Sequence, residues 1–230
     1  MNSSKLFDEE TTKVLREIFS SFKKNLVNYL VLSNDPVKCA SCSEARQLAN
    51  ELMSIAGNAV SFKIFEFNEE IREKLLVRYI PAFIYDTKKR NIRYYGIPSG
   101  QEFAPFIYVH KYIANNDSTL SKKVIELIEE IDKPLHVKVF VTTECPYCPY
   151  VVDAVNQMGI INDFLLVETI EAMEFPDEAD IYHIAYVPAV VINKISDWRE
   201  YGAKPLKIIH GYKSPEELAE VLNKISRRLK

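Results

Sequence analysis

The chain has 230 residues, of which 47% are hydrophobic and 27% charged, and its net charge is −3. This is a soluble globular composition, with room for one large domain or two of roughly 100–120 residues. No basic excess points to nucleic acid, and neither a polybasic patch nor an apolar run of membrane-spanning length points to a bilayer.

The opening residues Met1–Glu10 lack an apolar core, so no signal peptide is expected and the default location is cytoplasmic. A polar-capped helix is predicted over about 8–22, then a strand at 26–32. Lys38-Cys39-Ala40-Ser41-Cys42 follows and runs into a helix whose Ala45, Leu48, Ala49, Leu52, Ile55 and Ala56 recur at helical spacing. Gly57-Asn58 stop it. A strand at 60–67 and a charged helix at 69–78 come next. Pro81 opens a strand at 82–85, which pairs with 91–95 across Thr87–Arg90. A helix at about 101–113 closes this half.

The polar stretch Asn115-Asn116-Asp117 marks a boundary, giving units 1–116 and 117–230. The order then repeats. A helix spans 118–131 with Ser118 at its start, and a strand spans 135–141. Thr142-Thr143-Glu144-Cys145-Pro146-Tyr147-Cys148-Pro149 leads into a helix carrying Val151, Val152, Val155 and Met158. A strand at 164–170, a helix at 177–185, strands at 189–193 and 206–210, and a helix at 215–229 complete it. The fold class is α/β: two tandem units, each a mixed sheet flanked by helices.

The repeat has its own markers. Cys39 and Cys145 lie 106 positions apart (145 − 39), and Pro81 and Pro188 lie 107 apart (188 − 81). Tyr79-Ile80-Pro81-Ala82-Phe83 matches Tyr186-Val187-Pro188-Ala189-Val190, and Gly96 corresponds more loosely to Gly211.

All four cysteines fall in Cys-x-x-Cys pairs. In a chain of this size without a secretion signal, such pairs read as redox or metal sites. Each first cysteine follows a strand, and each second one sits in the first turn of a helix. There the free N–H groups and the helix dipole favour an anion, and the thiolate is the nucleophile of disulfide exchange. The two-residue spacer lets the second thiol expel a mixed-disulfide partner. Zinc is the alternative. The 102 residues between Cys42 and Cys145, and the lack of any histidine at ligand spacing, argue against one shared site.

Cys145-Pro146-Tyr147-Cys148 is a glutaredoxin-type motif. With Val167-Glu168-Thr169-Ile170-Glu171 and Tyr186-Val187-Pro188-Ala189-Val190, it resembles the protein disulfide oxidoreductases of hyperthermophilic archaea and bacteria, cytosolic tandems of two thioredoxin-like folds. The resemblance covers essentially the whole chain. It implies exposed nucleophiles at Cys39 and Cys145, buried resolving thiols at Cys42 and Cys148, and redox-active disulfides Cys39–Cys42 and Cys145–Cys148. It also implies cis-prolines at 81 and 188, against an ordinary frequency of about 5–6%. Substrate would then pair with the exposed backbone at Ile80 and Val187.

Thioredoxin keeps an acid in the strand before its motif, and this chain does not. Glu66 and Glu168 are the substitutes; the alternative is that they are strand-end surface acids, and a pKa raised by burial would mark the functional case. The first motif, Cys-Ala-Ser-Cys, departs from the family more than the second, and no tryptophan precedes either one. Trp198, the sole tryptophan, reads as a packing or surface residue of the second hairpin loop.

The implied activity is dithiol–disulfide exchange on protein substrates, with no metal or organic cofactor. Electrons would come from a thioredoxin-reductase-like flavoprotein. An electron-relay module serving one redox partner is the alternative. The alkyl hydroperoxide reductase flavoprotein opens with a similar tandem and continues into a flavin domain, whereas no Gly-x-Gly-x-x-Gly occurs here. A non-enzymatic binding protein is the third reading.

Overall fold

The computed structural model describes residues 5–229. Helix α1 (Glu9–Ser20) is capped by the Asp8 carboxylate, which accepts from the Thr11 N–H. Strand β1 (Leu26–Leu32) leads to the first cysteine pair and α2 (Cys42–Ala56) leaves it. Strand β2 (Val60–Glu66), helix α3 (Glu69–Leu75), strands β3 (Ala82–Ile84) and β4 (Ile92–Tyr95), a 3-10 turn at Gly100–Glu102 and helix α4 (Phe103–Asn115) complete the first half. The second half runs α5 (Lys122–Glu129), β5 (Leu135–Val141), α6 (Cys148–Ile161), β6 (Leu165–Glu171), α7 (Pro176–Ile181), β7 (Ala189–Lys194), β8 (Lys207–His210) and α8 (Pro215–Ser226).

Four helices differ from the sequence expectation, α8 by ending at Ser226 rather than at 229. Helix α5 is capped by Ser121 rather than Ser118, because the Ser118 hydroxyl and the Thr119 N–H both donate to Gln157 on α6. Helix α3 stops at Leu75, where Leu76 turns left-handed; the chain then turns Arg78 inward to buried carboxylates. Helix α7 ends at Ile181, two residues before left-handed His183.

The two halves share one eight-stranded sheet in the order β2-β1-β3-β4-β6-β5-β7-β8. The joint is the parallel pair β4–β6, with Ile92 opposite Val167 and Tyr95 opposite Ile170. Asn91 seals it, donating to the carbonyls of Gly159 and Leu165 at 2.8 Å each. Strands β1, β4, β6 and β5 therefore point the same way. The edge strands that two separate units would have left open are spent on each other.

Helices α1, α2, α4, α5, α6 and α8 bury their apolar stripes against one face of the sheet. Helices α3 and α7 cover the other. That second face also holds a charged cluster at the seam. Arg78 pairs with Glu168 and Glu178, Lys138 donates to Glu178 and the Tyr182 hydroxyl, and His136 and Tyr95 donate to Glu168. Trp198 is buried in the loop between β7 and β8.

Candidate active site

Both Cys-x-x-Cys pairs are disulfides, Cys39–Cys42 and Cys145–Cys148, with Cα separations of 5.4 and 5.5 Å. Each follows a strand, and its second cysteine is the first residue of a helix. All four cysteines are buried in the disulfide form, the first of each pair less deeply than the second, 7% against 3% and 8% against 0%; the exposed first cysteines expected from the sequence are therefore covered here. At the second site the Cys148 N–H donates to the Cys145 sulfur at 3.1 Å, the geometry that stabilises a thiolate at a helix start. At the first site the Ser33 N–H donates to the Cys42 sulfur at 3.3 Å.

The bonds Ile80–Pro81 and Val187–Pro188 are cis. Register sets each beside the end of the strand that leads to its cysteine pair. Val31 pairs with Ala82, so Pro81 adjoins Leu32; Phe140 pairs with Ala189, so Pro188 adjoins Val141. The glycine of each repeat closes its own proline loop, Gly96 N–H to the Pro81 carbonyl at 3.1 Å and Gly211 N–H to the Pro188 carbonyl at 2.8 Å. Because β1 and β5 are co-directional and α2 and α6 lie on one face, both disulfides sit along the same rim of the same face.

The two acids singled out in the sequence fare differently. Glu168 lies on the wrong side of the sheet. Val167 faces the cysteine-bearing core, and Glu168 beside it points to the α3–α7 face. Burial opposes its ionisation, but the bond from His136 at 2.7 Å and the guanidiniums of Arg78 and Arg93 outweigh that and hold it well below the usual carboxylate range. The shift is opposite in sign to the one expected of a proton-transfer acid, and the partners of Glu168 are His136, Tyr95 and Arg78 rather than a cysteine. Glu66 remains near the first site. It accepts from the Ser33 hydroxyl, the Asn34 N–H and the Asn34 amide at 2.7–3.2 Å, latching the loop that leads from β1 to Cys39.

A third acid, at the start of the helix that closes the first half, is buried in the core. Glu102 is fully buried, and neither carboxyl oxygen has a hydrogen-bond partner among the described residues. Burial, reinforced by Glu171, pushes its pKa up to about 8. It comes from the first half, but its neighbour reaches the loop that enters the second site. The Gln101 N–H beside it donates to the Thr143 carbonyl at 2.8 Å, in the loop entering Cys145. Gly100, at φ +55°, is needed there because a Cβ would run into that carbonyl. The only sequence signal was an acid set among apolar residues, Phe103, Phe106 and Ile107 following it.

The two halves, each with a disulfide at a strand-to-helix junction and a cis-proline opening the neighbouring strand, define a tandem thioredoxin-fold protein. Residues 135–200 match the thioredoxin domain family. The F component of the alkyl hydroperoxide reductase of Staphylococcus epidermidis is 28% identical over 162 residues, which is 70% of this chain and 29% of that protein. The chain thus spans less than a third of this relative's length. Among solved structures, a protein disulfide oxidoreductase from Aeropyrum pernix superposes with a TM-score of 0.82 at 21% identity, covering 96% of this chain and 94% of the other. The NTD_N/C domain of alkylhydroperoxide reductase from Enterococcus faecalis gives 0.79 at 22% identity, covering 94% and 99%. Among the described residues no helix is long and apolar enough to cross a membrane.

Proposed function

We propose that the chain is a protein thiol–disulfide oxidoreductase working through both cysteine pairs, with units divided near Asn116. The observation that carries the reading is the co-location of two helix-start disulfides and two cis-prolines on one rim. A substrate strand pairs with the backbone at Ile80–Pro81 or Val187–Pro188, bringing its sulfur to Cys39 or Cys145. To reduce a client, the Cys145 thiolate attacks the client disulfide, forming a mixed disulfide and releasing one client thiol. Cys148 then loses its proton and attacks Cys145, expelling the second client thiolate. Two electrons reach the client, and the Cys145–Cys148 bond re-forms. Glu102, with a pKa pushed up to about 8, is the group whose carboxylate form takes the proton from Cys148, and whose acid form returns it when the pair is next reduced.

A second reading is favoured by the alkyl hydroperoxide reductase relatives: a dithiol relay serving one flavoprotein partner, itself of the thioredoxin-reductase type. Activities of Cys39→Ser, Cys145→Ser and the double variant separate the outcomes, scored by insulin reduction and by refolding of a scrambled disulfide protein. The double variant loses both activities under the first reading. Wild type inactive on both substrates yet reduced by such a flavoprotein would select the relay. A double variant equal to an active wild type would defeat both.

A further inference from the structure

Each unit reaches toward the other's site. Glu102 is next to Gln101, whose N–H bonds the Thr143 carbonyl in the loop entering the second site; the reverse contact is Glu174, in the loop between β6 and α7. One Glu174 oxygen accepts from the Ser41 hydroxyl at 2.5 Å, and the other accepts from the Ile97 N–H at 2.6 Å. Ser41 lies between Cys39 and Cys42. It occupies the N-cap of α2, yet it makes no side-chain cap bond. A serine there normally accepts from the helix's own N–H groups; this one donates outward. Glu174 is also tied to the proline loop. Ile97 adjoins Gly96, which bonds the Pro81 carbonyl, and a Cβ at Gly96 would meet the Glu174 carboxylate at 2.6 Å. The Glu174 N–H is itself fixed by Glu171 at 2.7 Å.

We propose that Glu174 is a cross-unit positioning residue of the first redox site, holding Ser41 and the Gly96–Ile97 turn and disfavouring the Cys39 thiolate. It places negative charge at the helix start where the thiolate must form, and like charges oppose each other there. The first site is therefore held more reducing than its Cys-Ala-Ser-Cys motif alone would make it. This rests on the redox reading of Cys39–Cys42, and it does not depend on which protein is the client.

The step is reduction by a monothiol. One glutathione thiolate attacks the Cys39 sulfur, the Cys39–Cys42 bond breaks, and Cys42 leaves and takes up a proton. A second glutathione attacks the glutathione sulfur of the mixed disulfide and expels the Cys39 thiolate. Two electrons pass from two glutathiones, which become glutathione disulfide. Glu174 opposes that last departure.

The test uses the full chain with the second pair replaced by serines, equilibrated in glutathione buffers. Glu174→Gln should raise the reduced fraction about tenfold in equilibrium constant, about 30 mV for a two-electron couple. It should also lower the pH midpoint of Cys39 alkylation, while Glu174→Asp returns both toward wild type. In the reciprocal background, with Cys39 and Cys42 replaced, the second site should not move. An unchanged first-site equilibrium in both Glu174→Gln and Glu174→Ala overturns the proposal, as does an equal shift at both sites. Loss of client turnover with the potential shift intact would strike the proposed function and leave Glu174's role standing.

Discussion

Replacing Glu102 by glutamine separates burial of a charge from burial of a shape. Glutamine has nearly the same volume, so its packing and amide desolvation costs are the same at every pH. Glutamate's cost is not. Its pKa rises from 4.5 to about 8 on folding, which at ~1.4 kcal/mol per unit is a ceiling of about 5 kcal/mol. The folded protein keeps a proton that the unfolded chain releases above about pH 4.5. Wild-type stability should therefore fall as pH rises from about 5 to 8 and level off once Glu102 ionises in the fold. Urea unfolding of oxidised wild type and Glu102→Gln at pH 5, 7 and 9 reads the difference. The variant should gain on wild type by roughly 2–4 kcal/mol between pH 5 and 9, below the ceiling because buried sites relax and admit water. A gap that stays constant across this range would refute the buried, unpartnered carboxyl.

Arg78→Met should cost about 3–5 kcal/mol in the same unfolding assay, because Glu168 and Glu178 lose a shared buried cation. Gly100→Ala should displace the Thr143 loop and slow exchange at the second site at least tenfold. With the second pair replaced by serines, the first site's rate should be unaffected by the same change. In Cys42→Ser/Cys148→Ser, oxidation of the monomer should give no Cys39–Cys145 bridge, as read by peptide mapping under non-reducing conditions.

Much of the fold was legible because its signals are local. A strand, two cysteines three apart and a helix make one continuous stretch, and the Tyr79–Phe83 and Tyr186–Val190 segments repeat it. The charges were harder. Strands β5 and β6 are buried on both faces along their whole length, so no polar alternation shows which way Glu168 points; only the register against β4 and β5 does. Glu102 falls at the start of the helix predicted over about 101–113, and nothing in that stretch shows that its carboxyl is buried. Its burial comes from the α4–α6 packing and the Thr143 loop, contacts with residues some forty positions away. Glu174 and Ser41 are 133 positions apart, and nothing in either segment announces the other. What escaped the sequence was thus the seam, where each unit completes the other's site.

The β4–β6 pairing also fixes a distance. Strands β1 and β5 stand four steps apart in the sheet, about 19 Å at the usual strand spacing. Exchange of a disulfide requires sulfurs in bonding contact, and a hydrogen-bonded sheet does not fold across that gap. Within one molecule the two pairs therefore behave as parallel electrodes on a common mount. Traffic between them needs a carrier that leaves one and arrives at the other, and its rate should scale with the carrier's concentration.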